Sequence, residues 1–282
     1  MPPVLVQSTS GSGSGSSTGY ALTVTLGSAT TAGNCLVVKA GAWAFTTNPS
    51  ISGITLGGSA GNFASLVSAG TGASAAITSI WADPTCAGGQ TSVVITTTGG
   101  AGATLGAVAT VEEWSGLAAT IAGLTDKTAT TDGALVTSTS WASGATAGTA
   151  QASEVWAGMV FAYQNASLTI TGPSSPWNNL AQVTYTPGSS SYYMLLSGYE
   201  IAPSTGTANY SGTFSAAAYY DVAAVTLKAQ LHAGDPPPVP PYFLTPWMFA
   251  THPRHPAIAA GTGTTSSVAG AAKPSAFFVF FP

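Results

Sequence analysis

Histidines and acids are the side chains of this chain best suited to catalysis or metal binding, and they are few. The three histidines, His232, His252 and His255, all lie near the C-terminus. A Ser-His-Asp or Cys-His arrangement elsewhere would require this segment to reach back over the rest of the chain. His252 and His255 each precede a proline, which favours extended backbone. No third ligand lies nearby, so we predict no metal site here.

Two adjacent acids, Glu112 and Glu113, occupy a predicted strand, where neighbouring side chains point to opposite faces. They therefore cannot form the two facing carboxylates that glycoside hydrolysis needs. We expect one of them to face solvent and the other to be partly buried against Lys39 or a group of hydroxyls. Glu154 and Glu200 are the other candidates for an acid pair, but nothing in the pattern selects either. The sequence predicts no catalytic residue.

Disulfide and metal chemistry have equally little support in the sequence. Cys35 and Cys86 have no CxxC spacing and no nearby histidine. They are expected to be small buried residues or free thiols, and a disulfide between them is left open. Asp126, Asp132 and Gly133 lie in a predicted loop between the two halves of the chain, where turn formation is favoured. That loop has fewer carboxylates than a calcium site needs, so we predict neither a metal nor a cofactor.

Aromatic side chains are the remaining candidates for ligand contact. Most tryptophans lie in predicted strands, where we expect them to fill the core. Trp177, Tyr192 and Tyr193 instead lie in or beside polar turns. Either core packing or stacking against a sugar suits them, so we keep these three residues as candidate glycan contacts.

The composition is unusually poor in charge. Charged residues are 5% of the 282 residues, against roughly 25% in an average globular protein. The five basic residues are scattered, so neither nucleic acid nor a membrane surface is an expected partner. We find no signal-peptide pattern and no stretch apolar enough for a transmembrane helix. We therefore expect the chain to be made and kept in the cytoplasm, or to leave the cell by lysis. A surface of Ser and Thr suits close packing against other subunits, because few charges need desolvating.

Short alternating segments separated by Gly-rich turns recur along residues 20–230. This spacing predicts an all-β sandwich or barrel. The order of features in 54–114 recurs in 168–228, at an offset of about 115 residues. We therefore predict two tandem antiparallel β-sandwiches, at 20–120 and 121–230. One larger sandwich built from both halves is the alternative.

The two ends of the chain differ from this β-rich part. Residues 1–19 contain a Ser/Gly/Thr run, which predicts a flexible N-terminal arm. Residues 231–282 include a proline-rich stretch, which runs extended and forms no packed core of its own. Its large apolar residues would be a solubility hazard in water, so we predict a docking arm that binds neighbouring subunits. The predicted docking residues are Tyr242, Phe243, Trp247, Phe249, Phe277, Phe278, Phe280 and Phe281.

Five segments of the first half resemble a module of tailed bacteriophages that infect hosts with GC-rich genomes. A Thr-x-x-Gly-Asn-x-Leu-Val-Val strand is present as TAGNCLVV at 31–38, and an aromatic turn as NFASLV at 62–67. A strand ending in Trp lies at 80–81, an AGGQTSVVI strand at 87–95 and a closing VATVEEWSGL strand at 108–117. The match is looser in the second half, where Thr-Leu-Lys replaces the acidic-aromatic closing motif.

The resemblance implies a jelly-roll-like structural module of the kind found in capsid-decorating and minor tail proteins. We accordingly expect a non-enzymatic virion protein, a capsid decoration or minor capsid protein anchored to neighbouring subunits by its C-terminal arm. Its partners would be the major capsid or tail protein and further copies of itself, with a host-surface glycan in addition. The alternative is a minor tail or host-adhesion protein with carbohydrate-binding sandwiches. A hydrolase is the weakest hypothesis, because histidines and paired acids are lacking.

Overall fold

The fold is almost entirely β-strand, which confirms the predicted all-β class. β-Branched Thr, Val and Ile fit the pleated surfaces, and small Ala and Ser fit between closely packed layers. The one helix of the described part, α1, is the short turn Ile121–Leu124, so no helix there is long or apolar enough to cross a membrane. The computed structural model describes residues 2–16, 18–44, 48–70, 76–99, 104–133, 137–188 and 191–230.

The first half of the chain forms two antiparallel sheets. Its strands are β1 Val4–Ser16, β2 Gly19–Thr25, β3 Cys35–Ala44, β4 Ser50–Leu56, β5 Ala64–Ala69, β6 Ala76–Asp83, β7 Ser92–Thr98 and β8 Thr104–Ser115. Five of them, in the order β1-β8-β3-β6-β5, make what we call the first inner sheet. The other three, in the order β2-β7-β4, make the first outer sheet.

The second half forms one eight-stranded sheet that folds over itself. Its strands are β9 Thr125–Asp132, β10 Ser138–Ala142, β11 Val155–Gln164, β12 Ile170–Thr171, β13 Asn178–Asn179, β14 Val183–Tyr185, β15 Tyr192–Ile201 and β16 Ser211–Leu227. The start of β16 pairs with β10 and β12, and its end pairs with β9 and β11. The long strand β16 thus divides the sheet into a second outer layer and a second inner layer.

The two halves have the same strand order. In the second inner layer β9, β16, β11 and β15 follow one another as β1, β8, β3 and β6 do in the first inner sheet. In the second outer layer β10, the start of β16 and β12 take the places of β2, β7 and β4. One continuous strand, β16, therefore does in the second half what β7 and β8 do separately in the first.

The three largest hydrophobic clusters of the described residues hold the four layers together. One, around Ile95, lies between the first outer and first inner sheets. Another, around Phe214, is enclosed by the two layers of the second half. The third draws on both halves, with Trp43 from one and Phe161 from the other, and so joins the two inner layers. Because the halves share this core, the domain boundary at residue 120 stays a prediction.

The structure corrects the flexible arm predicted for residues 1–19. Val4–Ser16 form β1, which pairs with β8 along its length. Glycine alternates in this strand where side chains of β2 lie against it: Val24 against Gly11, and the ring of Tyr20 against Gly13 and Gly15. A Cβ on Gly15 would come 2.9 Å from Cδ2 of Tyr20, and one on Gly13 would overlap the hydroxyl. A run that is typical of a linker is therefore a strand selected for close approach.

Candidate functional site

The two adjacent acids of β8 point to different partners, but both are buried. Glu113 accepts hydrogen bonds from Gln7 Nε2 at 2.6 Å, Thr31 N at 2.9 Å and Asn34 Nδ2 at 2.6 Å. The expectation that one of the acids faces solvent is therefore wrong. Three amide donors satisfy the carboxylate of Glu113, which allows it to be buried. Glu113 ties together segments at the end of the first half and is not placed for a reaction.

Glu112 forms a buried ion pair with Lys39 between the two inner layers. Lys39 Nζ donates to Glu112 Oε1 at 2.5 Å and to the carbonyl oxygen of Gly198, in the second half, at 2.8 Å. Trp114 Nε1 donates to Glu112 Oε2 at 3.0 Å. Burial lowers the pKa of Lys39, while the carboxylate of Glu112 acts in the opposite sense. Both charged side chains have 0% exposure, so the pair connects the halves and cannot meet a substrate.

A second polar cluster lies at the start of β9. Asp126 Oδ1 is 3.2 Å from Lys127 Nζ and 3.4 Å from Lys228 Nζ, and Asp126 Oδ2 accepts from Ala150 N at 2.6 Å. Burial raises the pKa of Glu154 to about 7, and the charge of Asp126 adds to the effect. Asp126 thus lies in a strand and not in the predicted loop. Within the described ranges, no three His, Cys, Asp or Glu side chains come together as metal ligands.

A cavity of about 150 Å³ lies at one end of the second inner layer and is lined by four tyrosines. Tyr163 on β11 is opposite Tyr193 on β15 and Tyr219 on β16, so three adjacent strands present aromatic rings. The rings of Tyr163 and Tyr219 stack with centroids 5.1 Å apart and planes 14° apart. Aromatic faces beside amide and hydroxyl groups suit a small polar ligand with an apolar face. The lining comprises Tyr163, Gln164, Asn165, Ser191, Tyr192, Tyr193 and Tyr219.

A buried acid, Asp221, lies on β16 two residues beyond Tyr219. Asp221 on β16 is in register with Phe161 on β11 and with Asp132 on β9. Burial raises the pKa of Asp221 to about 8, with the charge of Asp132 contributing in the same direction. Gly70, at a φ of +85°, covers it from the first half, where an added Cβ would lie 2.8 Å from Asp221 Oδ2. Asp221 is therefore mostly protonated at pH 7 and is a poor candidate for a charged ligand-binding group.

The structure separates the three predicted glycan contacts. Tyr192 is half-buried and lines the cavity. Tyr193 also lines it but is only 7% exposed, and its ring stacks on Trp43 with centroids 4.0 Å apart and planes 8° apart. Trp177 lies outside this lining and packs against Tyr210, with centroids 5.0 Å apart. Glycan contact by these residues stays a prediction, and the geometry favours Tyr192.

Sequence reasoning missed Tyr163 and Tyr219 as members of this cavity. One signal was available, because the doublet Tyr219-Tyr220 matches the doublet at Tyr192 and Tyr193. What could not be read from the sequence is the register that places Tyr163 between the two doublets.

The predicted docking arm cannot be compared with the structure. All of its residues, and the three histidines, lie outside the described part of the chain. The docking prediction therefore stays a prediction for Tyr242, Phe243, Trp247, Phe249, Phe277, Phe278, Phe280 and Phe281.

The surface of the described fold is nearly free of charge. Of the eleven charged residues within the described ranges, seven are buried and only Asp132 is exposed. Lys127 and Lys228 are partly exposed, whereas the side chain of Asp126 is only 4% exposed. Hydroxyl groups of Ser and Thr therefore dominate the polar surface. The buried charged residues are Lys39, Asp83, Glu112, Glu113, Glu154, Glu200 and Asp221.

Comparisons with protein-family models, with curated proteins and with solved structures found no match to this chain. What the protein does is therefore inferred from its own residues and their geometry.

Proposed function

We propose that this protein is a non-enzymatic structural component of a bacteriophage virion, a capsid decoration or minor capsid protein. The observation that carries the proposal is the nearly uncharged surface of the four-layer β fold. Contact between two such surfaces removes few ions from water, and desolvating ions is the main cost of burying polar surface. The fold thus suits a subunit that is packed closely among others.

The C-terminal segment supplies the proposed attachment. Its sequence combines a proline-rich stretch with two groups of large apolar residues. Burying one Phe side chain contributes roughly 1.5–3 kcal/mol, less the cost of ordering the segment. Several such anchors together are sufficient to hold an arm against a neighbouring subunit.

The buried polar groups support a structural role in a different way. Lys39 and Glu112 form hydrogen bonds with each other, with Trp114 and with the backbone of the other half. The carboxylate of Glu113 accepts hydrogen bonds from three amide N–H groups. Each of these groups is used to connect segments of the fold.

The test is incorporation of the protein into particles. Host cells would supply either the intact chain or a chain lacking residues 236–282, and quantitative mass spectrometry would count copies per purified particle. We expect the shortened protein to keep its β circular-dichroism spectrum and to be absent from particles. Unchanged incorporation would contradict the proposal.

A matched pair of full-length variants separates anchoring from mere length. One variant replaces the four terminal phenylalanines by Ser, and we expect it to be lost from particles. The control carries four substitutions by Ala within the same segment and should be retained. The phenylalanines are Phe277, Phe278, Phe280 and Phe281, and the control positions are Thr264, Thr265, Ser266 and Ser267.

The tyrosine-lined cavity favours a second candidate, a host-adhesion protein that binds carbohydrate. A glycan array probed with the intact protein would detect such binding. Tyr192→Ala should abolish the signal, because Tyr192 lines the cavity and is only half-buried. Trp177→Ala is the control, since Trp177 is outside the cavity lining. A signal that survives Tyr192→Ala would rule out this cavity as the binding site.

A further inference from the structure

Strand β1 is an edge of the first inner sheet with one side unpaired. It pairs with β8 on one side only, and no other strand of the described part joins it. Its register shift lies between Leu5 and Gln7, so the strand is regular from Gln7 to Ser16. At about 3.4 Å per residue these ten residues present an edge of about 34 Å. Every second residue turns its backbone N–H and C=O groups toward the unpaired side.

The other edges of the inner layers carry the features that normally prevent strand addition. Charges, bulges and short length are the usual protections. Strand β9, the counterpart of β1, carries Asp126, Lys127 and Asp132. Strand β5 has a register shift between Ser65 and Val67. Strands β13 and β14 have 2 and 3 residues.

Strand β1 lacks such protection over its regular part. Its thirteen residues contain no charged residue and no proline. Ser8 and Ser10 are exposed, as are Val4 and Val6, which have 51% and 46% of their surface exposed. Among the described residues, no strand covers this backbone edge.

We propose that the partner of this edge is β1 of a second copy of the chain, paired antiparallel about a two-fold axis. In such a pairing each residue of β1 lies opposite a residue of the partner's β1, and every contact occurs twice, related by the two-fold axis. A charged strand would face its own charge in this arrangement, and like charges directly opposite are destabilising. The uncharged Ser, Gly and Thr of β1 meet themselves without that penalty. The two inner sheets then form one continuous sheet across the dimer.

This inference deepens the proposed role in assembly, on which it rests for its biological purpose, by naming a partner and a surface. Its test uses purified full-length protein and no particles, so the two proposals can fail separately. A variant that is lost from particles can still form the dimer, and a variant that no longer dimerises still has its C-terminal arm.

The experiment measures the oligomeric state by sedimentation velocity at protein concentrations on the order of 10 µM. We expect the wild-type chain to be a dimer. A triple lysine variant places like charges opposite one another near the centre of the paired strands, and its dimer should dissociate at least about ten-fold more readily. The positions are Ser8→Lys, Ser10→Lys and Ser12→Lys.

Charge reversal makes the test specific for pairing of β1 with itself. A triple glutamate variant at the same three positions should also be monomeric. An equimolar mixture of the lysine and glutamate variants should recover a heterodimer, because unlike charges then lie opposite one another. If both variants are folded and their mixture still fails to associate, the proposal is overturned.

A control variant adds the same charge elsewhere. It carries three lysines at exposed threonines of the second half and should remain a dimer, with an unchanged circular-dichroism spectrum. A monomeric wild-type chain, or a control as dissociated as the β1 variant, would overturn the proposal. The positions are Thr128→Lys, Thr130→Lys and Thr139→Lys.

The remaining occupant to distinguish is the C-terminal segment of a neighbouring copy. The full chain with serine in place of the four terminal phenylalanines should still dimerise if β1 pairs with β1. Loss of the dimer in that variant would assign the contact to the C-terminal segment and overturn the proposal.

Discussion

The two halves of this protein share one strand order but place their charges differently. Counting from the first residues of β3 and β11, Lys39 corresponds to Met159, and Glu112 to Val225, by the register of the ladders. The first half thus contributes an ion pair to the central core where the second half contributes apolar side chains. At the edge strands the distribution of charge is the opposite, since β1 of the first half has no charged residue while β9 of the second half has three.

The difference indicates that charge has separate uses in the two halves. Inside, the ammonium group of Lys39 reaches the carbonyl oxygen of Gly198 and so fixes one inner layer against the other. Outside, the charges of β9 protect an edge against strand addition. The same strand order can therefore use its charges to fix the register of the core in the first half and to disfavour strand addition at the edge in the second half.

The largest expected effect comes from breaking the ion pair. Lys39→Met copies the second-half residue and leaves Glu112 buried without its counter-ion. We expect a loss of about 3–5 kcal/mol in the free energy of unfolding, because an uncompensated buried charge is strongly destabilising. Urea unfolding followed by circular dichroism measures it. A loss below about 1 kcal/mol would mean that the pair behaves like one on the surface.

The double variant Lys39→Met with Glu112→Val makes the first half match Met159 and Val225. Replacing a buried ion pair by apolar residues is often neutral or stabilising by about 1–4 kcal/mol. The donor of Trp114 and the carbonyl oxygen of Gly198 lose partners, so we expect the lower end of that range. Its free energy of unfolding should exceed that of Lys39→Met alone, and equality of the two would show that the apolar layer cannot replace the pair.

The next prediction concerns a buried acid that only the second half has, since Val108 is the counterpart of Asp221. The pKa of Asp221 is raised from 3.8 to about 8 on folding. Between these values the folded state holds the additional proton, so stability falls as pH rises. The slope from this group is at most about 1.4 kcal/mol per pH unit. Asp221→Asn should remove it in urea unfolding series at pH 5, 6 and 7.

Glu154→Gln provides the control for that experiment. Its pKa is also raised, to about 7, so this variant should lose its own share of the slope and keep that of Asp221. A wild-type protein with stability that rises between pH 5 and 7 would contradict both assignments.

The smallest expected effect concerns the partly exposed charges of β9. Lys127 has 32% of its side chain exposed, and Lys228 remains 3.4 Å from Asp126 when Lys127 is removed. Lys127→Thr should therefore change the free energy of unfolding by less than about 1 kcal/mol. A change as large as that of Lys39→Met would erase the distinction between the inner and outer charges.

The all-β class could be predicted from the sequence because alternation and turn residues are local signals. The strand position of Glu112 also followed from local alternation. Which of the two acids meets Lys39 did not, because Lys39 and Glu112 are 73 residues apart in the chain. The burial of Glu113 did not, since it depends on Gln7, Thr31 and Asn34 arriving from distant parts of the chain.

Strand β1 and Asp221 show the same limit. The Ser/Gly sequence of β1 has the composition of a linker, and its strand conformation depends on pairing with β8 about a hundred residues away. Asp221 is buried because Gly70 and Asp132 meet it from two other segments. Contacts of long sequence separation are not visible in local composition.

The inward placement of charge has a consequence for how this surface can be recognised. Mobile ions weaken attraction between exposed charges over a distance of roughly 8 Å at physiological ionic strength. Because Asp132 is the one exposed charged residue of the described ranges, and Lys127 and Lys228 are only partly exposed, there is little for added salt to screen. A partner of this surface must recognise its shape and its hydroxyl groups, and we expect such binding to persist almost unchanged from dilute buffer to brine.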